Sequence, residues 1–140
     1  FIDFAHTQDA LENVLKTIRQ TSHSRILLLF GCGGDRDKTK RPVMGKTAGR
    51  LADFSIVTSD NPRSEEPKAI IDQITAGFEK NNYLVIENRE EAIHRVLCTA
   101  QAGDIVLIAG KGHEDYQEIA GRRFPFSDQK IVRKLLVDRS

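Results

Sequence analysis

Four polar segments of the sequence carry the residue types that could do chemistry, and each of them directly follows an apolar run. They span residues 3–9, 31–37, 59–63 and 110–115. In the third segment Asp60 offers an anion, Asn61 an amide and Arg63 a forked cation. Pro62 fixes its own φ and keeps Asn61 out of the α region, so the segment predicts a turn that presents these groups together. The alternative is an ordinary turn between a strand and a helix.

The second segment is rich in glycine and invites comparison with phosphate-binding loops, but both familiar patterns fail. A dinucleotide fingerprint requires glycine where Arg36 stands, and a Walker A motif ending at 45–47 requires glycine where Lys40 stands. We therefore predict no nucleotide-phosphate cradle. The glycines would let the backbone approach a ligand that Arg36 reaches. The alternative is a solvated loop in which Arg36 pairs with Asp35 and Asp37.

The fourth segment combines two glycines with His113, Glu114 and Asp115. Glu114 could accept hydrogen bonds from an ammonium group. Three adjacent residues do not normally converge on one ion, so we predict no metal site. His113 could be a catalytic base or a structural hydrogen-bonding residue. The sequence contains no obvious pair of nucleophile and base, and we predict no catalytic residue in it.

Together the four segments predict a binding rim with charges of both signs. Arginine forks suit a carboxylate, whereas Asp and Glu suit an ammonium group. A rim of this kind fits a zwitterion such as an amino acid better than it fits a polyanion. The residues assigned to it are Arg36, Arg63, Asp60, Asn61, Glu114 and His6.

The composition predicts one ordinary globular domain. The chain has 140 residues, with 21 basic and 20 acidic side chains, so it lacks the basic surplus expected of a nucleic-acid-binding protein. Its apolar runs are too short to span a bilayer, and its two cysteines predict a reducing cytoplasm rather than a disulfide framework. The sequence starts at Phe1, already in a predicted strand, which we interpret as a piece of a longer protein.

Strand and helix patterns alternate along the chain, which predicts an α/β, Rossmann-like three-layer domain. We expect a sheet of about six strands, mostly parallel, with one antiparallel edge strand. Residues 116–126 predict a hairpin closed near Ala120-Gly121. Thr7 and Ser127 are predicted helix caps. Two predicted inward helix faces carry Val43, Thr47 and Leu51, and Ile131, Val132, Leu135 and Leu136.

At these segments the chain closely resembles the C-terminal domain of the Mur ligases, over essentially residues 1–140. Among them it is similar to the type that adds meso-diaminopimelate to the peptidoglycan precursor UDP-N-acetylmuramoyl-L-alanyl-D-glutamate. The matching motifs are Asp3–Thr7, Gly31–Lys38, Asp60–Arg63 and Gly110–Gln117. One departure is Gln8, which stands where the family often has proline.

The resemblance implies roles for individual residues. Arg36 and Arg63 would hold the distal carboxylate of meso-diaminopimelate, which lysine lacks, so that unpaired arginines would reject lysine. Asp3 and His6 would lie near the ribose and adenine of ATP. The residues implied for the amino-acid site are Arg36, Asp60, Asn61, Pro62, Arg63, Gly110 and Glu114.

The resemblance also implies a reaction, in which ATP converts the glutamyl carboxylate to an acyl phosphate that the incoming amine attacks. The phosphate loop and the Mg²⁺ ligands would belong to a central domain, and the UDP-sugar site mainly to a first domain, both outside residues 1–140. This part alone is then expected to be inactive, and to work by closing on the central domain. Two alternatives are a stand-alone amino-acid-binding or regulatory module and a lysine-adding relative, against which Arg63 argues.

Overall fold

The computed structural model describes residues 1–139, without the side chain of residue 139. The strands are β1 (Ile2–Asp3), β2 (Ile26–Phe30), β3 (Phe54–Val57), β4 (Tyr83–Val85), β5 (Ile105–Ala109), β6 (Tyr116–Ile119) and β7 (Arg122–Pro125). The helices are α1 (Gln8–Thr21), α2 (Lys40–Leu51), α3 (Pro67–Thr75), α4 (Arg89–Thr99) and α5 (Asp128–Arg139). None of the described helices is long and apolar enough to cross a bilayer.

A five-stranded parallel sheet forms the centre, with strand order β1-β5-β2-β3-β4. β2 is buried along its whole length and pairs with β3 and β5, as its unbroken apolar sequence predicts. The α/β fold class is confirmed, but the strand count and the antiparallel edge strand are corrected. The antiparallel pair β6–β7 forms a separate two-stranded sheet, because its partner is its own hairpin neighbour and not an edge of the main sheet.

Helices cover both faces of the main sheet and give the expected three layers. Successive residues of a strand point to opposite faces, so Leu28 packs in one core and Leu27 in the other. The first core receives apolar residues of α1, α2 and α3. The second core receives apolar residues of α4 and α5.

The helix ends follow local sequence signals. Thr7 accepts a hydrogen bond from the backbone N–H of Ala10 at 3.2 Å, and Ser127 accepts one from Lys130 at 3.2 Å, which confirms both caps. Pro67 opens α3, where its missing N–H has no partner to lose.

Two predicted helix faces were wrong in part. In α2 the buried positions are Arg41, Met44, Gly45, Ala48 and Gly49, whereas Val43 is exposed. The glycines turn this face inward because they allow backbone contact: a Cβ on Gly45 would lie 2.0 Å from the carbonyl oxygen of Ile74. In α5 the apolar stripe ends before Leu136, which is exposed.

The hairpin closes at Ala120-Gly121, as predicted, and docks on the loop after β3. Both turn residues have positive φ, 52° and 78°, the combination that a two-residue hairpin turn uses. The backbone N–H of Arg63 donates to the carbonyl of Glu118 at 3.0 Å, and that of Ala120 donates to the carbonyl of Arg63 at 2.7 Å. The hairpin therefore fixes the backbone at the end of β3.

Candidate functional site

A cavity of about 690 Å³ opens at the carboxyl edge of the parallel sheet. All strands of a parallel sheet end on the same edge, so the loops that follow β1, β2, β3 and β5 converge there. The cavity wall includes six residues assigned to the rim or the amino-acid site from sequence: Arg36, Asp60, Asn61, Arg63, Gly110 and Glu114. His6 lies on the same wall, so the structure brings together the whole predicted mixed-charge rim.

Three residues considered from sequence lie off this wall. The side chain of Asp3 accepts a hydrogen bond from the backbone N–H of Ala5 at 2.8 Å. Pro62 faces the glycine-rich loop, and a Cβ on Gly34 would lie 1.8 Å from its carbonyl oxygen. His113 is exposed and away from the cavity.

The glycine-rich loop 31–37 uses its glycines mainly to approach the loop after β3. The N–H of Gly34 donates to the carbonyl of Asn61 at 2.7 Å. A Cβ on Gly31 would lie 2.3 Å from the carbonyl oxygen of Thr58. Gly33 lines the cavity, and the predicted approach of the glycines to a ligand stays a prediction. The loops after β2 and β3 are thus hydrogen-bonded to each other and closely packed.

Arg63 contacts Gly34 and Glu118 and also lines the cavity. Its Nη1 donates to the carbonyl of Gly34 at 2.9 Å, and its Nε lies 3.6 Å from a carboxylate oxygen of Glu118. Its Nη2 makes no hydrogen bond within residues 1–139. The backbone has φ 52°, an uncommon value for a residue other than glycine, and it is held by the hairpin. The guanidinium is therefore fixed at one end and can bind an anion at the other.

Arg36 is less constrained than Arg63. It is exposed, and its Nη1 donates to the carbonyl of Asp35 at 3.1 Å. The alternative in which it pairs with neighbouring carboxylates is not what the structure contains: Asp35 accepts from the Ser64 hydroxyl and Asp37 from Thr39. Arg36 lines the cavity.

A buried arginine, Arg41, donates hydrogen bonds to the glycine-rich loop 31–37 and to neighbouring residues. Its guanidinium donates to the carbonyl of Gly33 at 3.0 Å, to Gln73 at 2.9 Å and to both carboxylate oxygens of Glu65 at 3.0 and 2.7 Å. Glu65 in turn accepts from the backbone N–H of Asp35. The hydrogen bonds of Arg41 therefore link α2, Gln73 of α3 and the loop that carries Arg36.

The Arg41 hydrogen bonds lower the pKa of Glu65 to about 2. A carboxyl group with a depressed folded-state pKa adds stability above its ordinary pKa of 4.5, and this is lost as pH falls toward about 2. We expect the free energy of unfolding to fall between these pH values, and Glu65→Gln to flatten this part of the profile. Urea unfolding at a series of pH values measures it, with Glu79→Gln on an exposed site as the control. Identical slopes in Glu65→Gln and the parent chain would contradict this assignment.

At the other side of the cavity, Lys111 is buried among acceptors. Its Nζ donates to Asn61 Oδ1 at 2.8 Å and to the carbonyl of Tyr116 at 3.0 Å, and it lies 3.0 Å from Asp60 Oδ1. Glu114 Oε1 is 3.7 Å away. This ammonium therefore lies within ion-pair distance of two carboxylates of the cavity wall, Asp60 and Glu114.

A second buried cation, Arg89, lies off the cavity wall and ties together the strand ends behind it. It forms a bidentate pair with Asp128 at 2.9 and 2.7 Å, and both side chains are fully buried. It also donates to the carbonyls of Ser59 at 3.2 Å and Ala109 at 3.1 Å. The ends of β3 and β5 and the start of α5 are thus joined through one guanidinium.

The wall near the N-terminus is aromatic and polar. The rings of Phe4 and His6 meet edge to face with centroids 4.8 Å apart, and His6 Nδ1 contacts the carbonyl of Phe4 at 2.9 Å. Gln8, the departure from the family pattern, lines the cavity and donates to Glu12 at 3.0 Å as α1 begins. An exposed aromatic pair at a cavity mouth can stack on a planar ring.

The middle of the cavity has a sulfur-lined patch. Cys32 and Met44 lie on the wall, with Sγ and Sδ 3.5 Å apart. Burial raises the pKa of the Cys32 thiol to about 12, so the thiol stays protonated and unreactive at neutral pH. We assign it a packing role.

No group of three or more His, Cys, Asp or Glu side chains within residues 1–139 is arranged to hold a metal ion.

Sequence reasoning missed the residues that hold the rim in place. Lys111 stood in a recognised segment, but it was not assigned a role because two of its three partners, Asn61 and Asp60, are distant in sequence. Gln117, whose amide donates to the carbonyl of Asp60 at 2.7 Å, and Arg41 were missed for the same reason. A lysine between two glycines at a strand end is the one local signal that could have found Lys111.

Comparison with known proteins gives a consistent result. Residues 1–112 match the family model described as Mur ligase, glutamate ligase domain. The UDP-N-acetylmuramoyl-L-alanyl-D-glutamate–2,6-diaminopimelate ligase of Caldanaerobacter subterraneus subsp. tengcongensis is 51% identical over 140 residues, which cover 99% of this chain and 29% of the relative. The ligase of the same name from Pseudomonas putida is 52% identical over 136 residues, covering 96% and 27%.

A solved structure of a ligase with this name superposes with a TM-score of 0.92 at 47% identity, covering 99% of this chain and 29% of the other. The chain thus spans less than a third of the length of these relatives.

Proposed function

The chain belongs to the Mur ligase family, and from that premise we propose that it is the amino-acid-binding part of an ATP-dependent ligase. The proposed reaction adds meso-diaminopimelate to UDP-N-acetylmuramoyl-L-alanyl-D-glutamate during peptidoglycan synthesis. The glutamyl carboxylate takes the terminal phosphoryl group of ATP and ADP is released. The amine of the amino acid then attacks the acyl phosphate, so that an amide bond forms while phosphate and a proton leave.

The observation that carries this proposal is the pairing of opposite charges around one cavity. Arg63 offers a fixed guanidinium with an unused Nη2, and Arg36 adds a second fork at the mouth. Asp60 and Glu114 face the same space, with the amide of Asn61 between them. The distal end of meso-diaminopimelate carries one carboxylate and one ammonium group, which these two sets would bind. Gly110 has φ 114°, a backbone conformation that other residues rarely adopt, and it lies beside Asp60.

The rest of the ligase would bind the other substrates. ATP would be closed between this chain and a central domain, with His6 and Asp3 near the adenosine. Because Asp3 already caps the Ala5 N–H, its contact to ATP would need that bond to change. Mg²⁺, the phosphates and the UDP-sugar would be held outside residues 1–140. We propose a cytoplasmic location, in keeping with two free cysteines and a reaction that consumes ATP.

A lysine-adding relative is the nearest alternative. Arg63 argues against it, because lysine would leave the guanidinium without its carboxylate. A stand-alone amino-acid-binding module is the other alternative, which an upstream phosphate loop in the same gene would exclude.

We expect the full-length protein to use meso-diaminopimelate with a kcat/KM at least about a thousandfold above that for lysine, in the range reached when a site binds a polar group that the competitor lacks. Amide formation is measured by phosphate release with ATP and the UDP-linked dipeptide. The isolated 140 residues should give no turnover. Equal use of both amino acids would reject the proposed specificity. Turnover by the isolated chain would reject the proposal that the reaction needs domains outside residues 1–140.

A further inference from the structure

The side chain of Lys111 is the most thoroughly enclosed charge at the cavity, with 0% of its surface exposed. A buried ammonium is costly unless its donors are satisfied. Here Nζ donates to Asn61 Oδ1 at 2.8 Å and to the Tyr116 carbonyl at 3.0 Å, and it forms an ion pair with Asp60 Oδ1 at 3.0 Å. Two of these three partners belong to the loop that follows β3. Lys111 therefore binds mainly to the loop after β3, which was predicted to bind the ligand.

The contact with Asn61 determines which end of its amide faces the cavity. Asn61 Oδ1 accepts from Lys111 Nζ at 2.8 Å and from the backbone N–H of Glu118 at 3.0 Å. A carbonyl oxygen has two lone pairs, so both are used. Rotating the amide would place its NH₂ group against two donors. The Nδ2 group is therefore left on the side of Glu114, 3.5 Å from Oε1, as a hydrogen-bond donor.

Lys111 also sets the charge of this end of the cavity. Its ammonium lies 3.0 Å from Asp60 Oδ1 and 3.7 Å from Glu114 Oε1. Asp60 Oδ1 accepts no hydrogen bond within residues 1–139, and its one recorded ion-pair partner there is Lys111. Asp60, Glu114 and Lys111 together carry a single negative charge, which matches one ammonium group on an incoming amino acid. Without Lys111, neither Asp60 nor Glu114 would have a described cation within ion-pair distance.

We propose that Lys111 is a positioning residue for amino-acid recognition, which fixes the Asn61 amide as a donor and balances Asp60 against Glu114. This role rests on the proposed function and deepens it, because Lys111 would act through residues of the amino-acid site without contacting ATP.

The test uses the full-length protein and compares Lys111→Met with the parent. We expect the KM for meso-diaminopimelate to rise by about tenfold or more, with the KM for ATP and kcat changed by less than about threefold. The matched control is Arg89→Met, which also removes a buried cation but lies off the cavity wall. It should lower the thermal midpoint without raising the KM for the amino acid selectively.

Lys111→Met leaves the carboxylate of Asp60 without its ion-pair partner, and a second pair of variants avoids this by replacing Asp60 as well. Asp60→Asn and the double variant Asp60→Asn/Lys111→Met differ only in the lysine, so a further rise of about fivefold in the amino-acid KM between them would support the Asn61 role. Equal KM values in this pair would overturn it. So would a Lys111→Met variant that behaves like Arg89→Met. Turnover of meso-diaminopimelate by the parent tests the proposed function separately, because it depends on no substitution.

Discussion

Replacing Arg63 by alanine is expected to raise the KM for meso-diaminopimelate by about a hundredfold, equivalent to roughly 2.7 kcal/mol. The reason is that its guanidinium is already aligned by Gly34 and Glu118 and has Nη2 left for the substrate carboxylate. Losing one side of a desolvated charge pair typically costs about 2–5 kcal/mol. Steady-state kinetics of the full-length protein with varied amino acid measure the effect.

Two comparisons make this result specific. Arg63→Lys keeps the charge but loses the planar fork, so it should fall between the parent and the alanine variant. Arg50→Ala, on the exposed side of α2, is the matched control and should leave the KM unchanged. A parent-like KM in Arg63→Ala would mean that the carboxylate is held elsewhere. An equal rise in the KM for ATP would point to a general distortion of the loop.

Replacing Arg89 by methionine is expected to destabilise the chain by about 3–5 kcal/mol, the usual cost of leaving one charge of a buried pair without its partner. Asp128 is fully buried and has both carboxylate oxygens bonded to this guanidinium. The substitution also frees the carbonyls of Ser59 and Ala109, at the ends of β3 and β5. Urea unfolding followed by circular dichroism gives the free energy directly.

The double variant Arg89→Met/Asp128→Leu separates charge from packing. Replacing both partners by apolar groups of similar size is often close to neutral, so most of the lost stability should return. If the double variant were as unstable as Arg89→Met, the hydrogen bonds to Ser59 and Ala109 would be the dominant contribution. A stability loss below about 1 kcal/mol in Arg89→Met would contradict the assignment, because such a loss is typical of exposed pairs.

The outer parts of the site could be predicted from sequence because they follow from local rules. The apolar runs of β2 and β5, with polar segments after them, predict parallel strands whose loops meet at one edge. Arg36, Asp60, Asn61, Arg63, Gly110 and Glu114 do line one cavity there. Pro62 and Asp3 belong to the same segments but face other partners, since a segment does not specify the direction of each side chain.

The supporting parts of the site could not be predicted, because they depend on contacts between distant residues. Lys111 reaches Asn61 across 50 positions of sequence, and Arg89 reaches Asp128 across 39. Apart from the two glycines that flank Lys111, nothing near these residues in the chain indicates that they are buried. The inward face of α2 was misjudged for a similar reason, since Gly45 packs on the carbonyl of Ile74 in another helix.

The order of strands and helices along the chain, the helix caps, the hairpin turn and the chemical character of the rim were predictable from residue patterns. These features depend on periodicity, turn preference and side-chain type over a few residues. The separation of the hairpin from the main sheet, its hydrogen bonds to Arg63 and the contact of a buried lysine with Asn61 became visible in the folded chain. Such hydrogen bonds and burial act between residues that folding brings together from distant parts of the sequence.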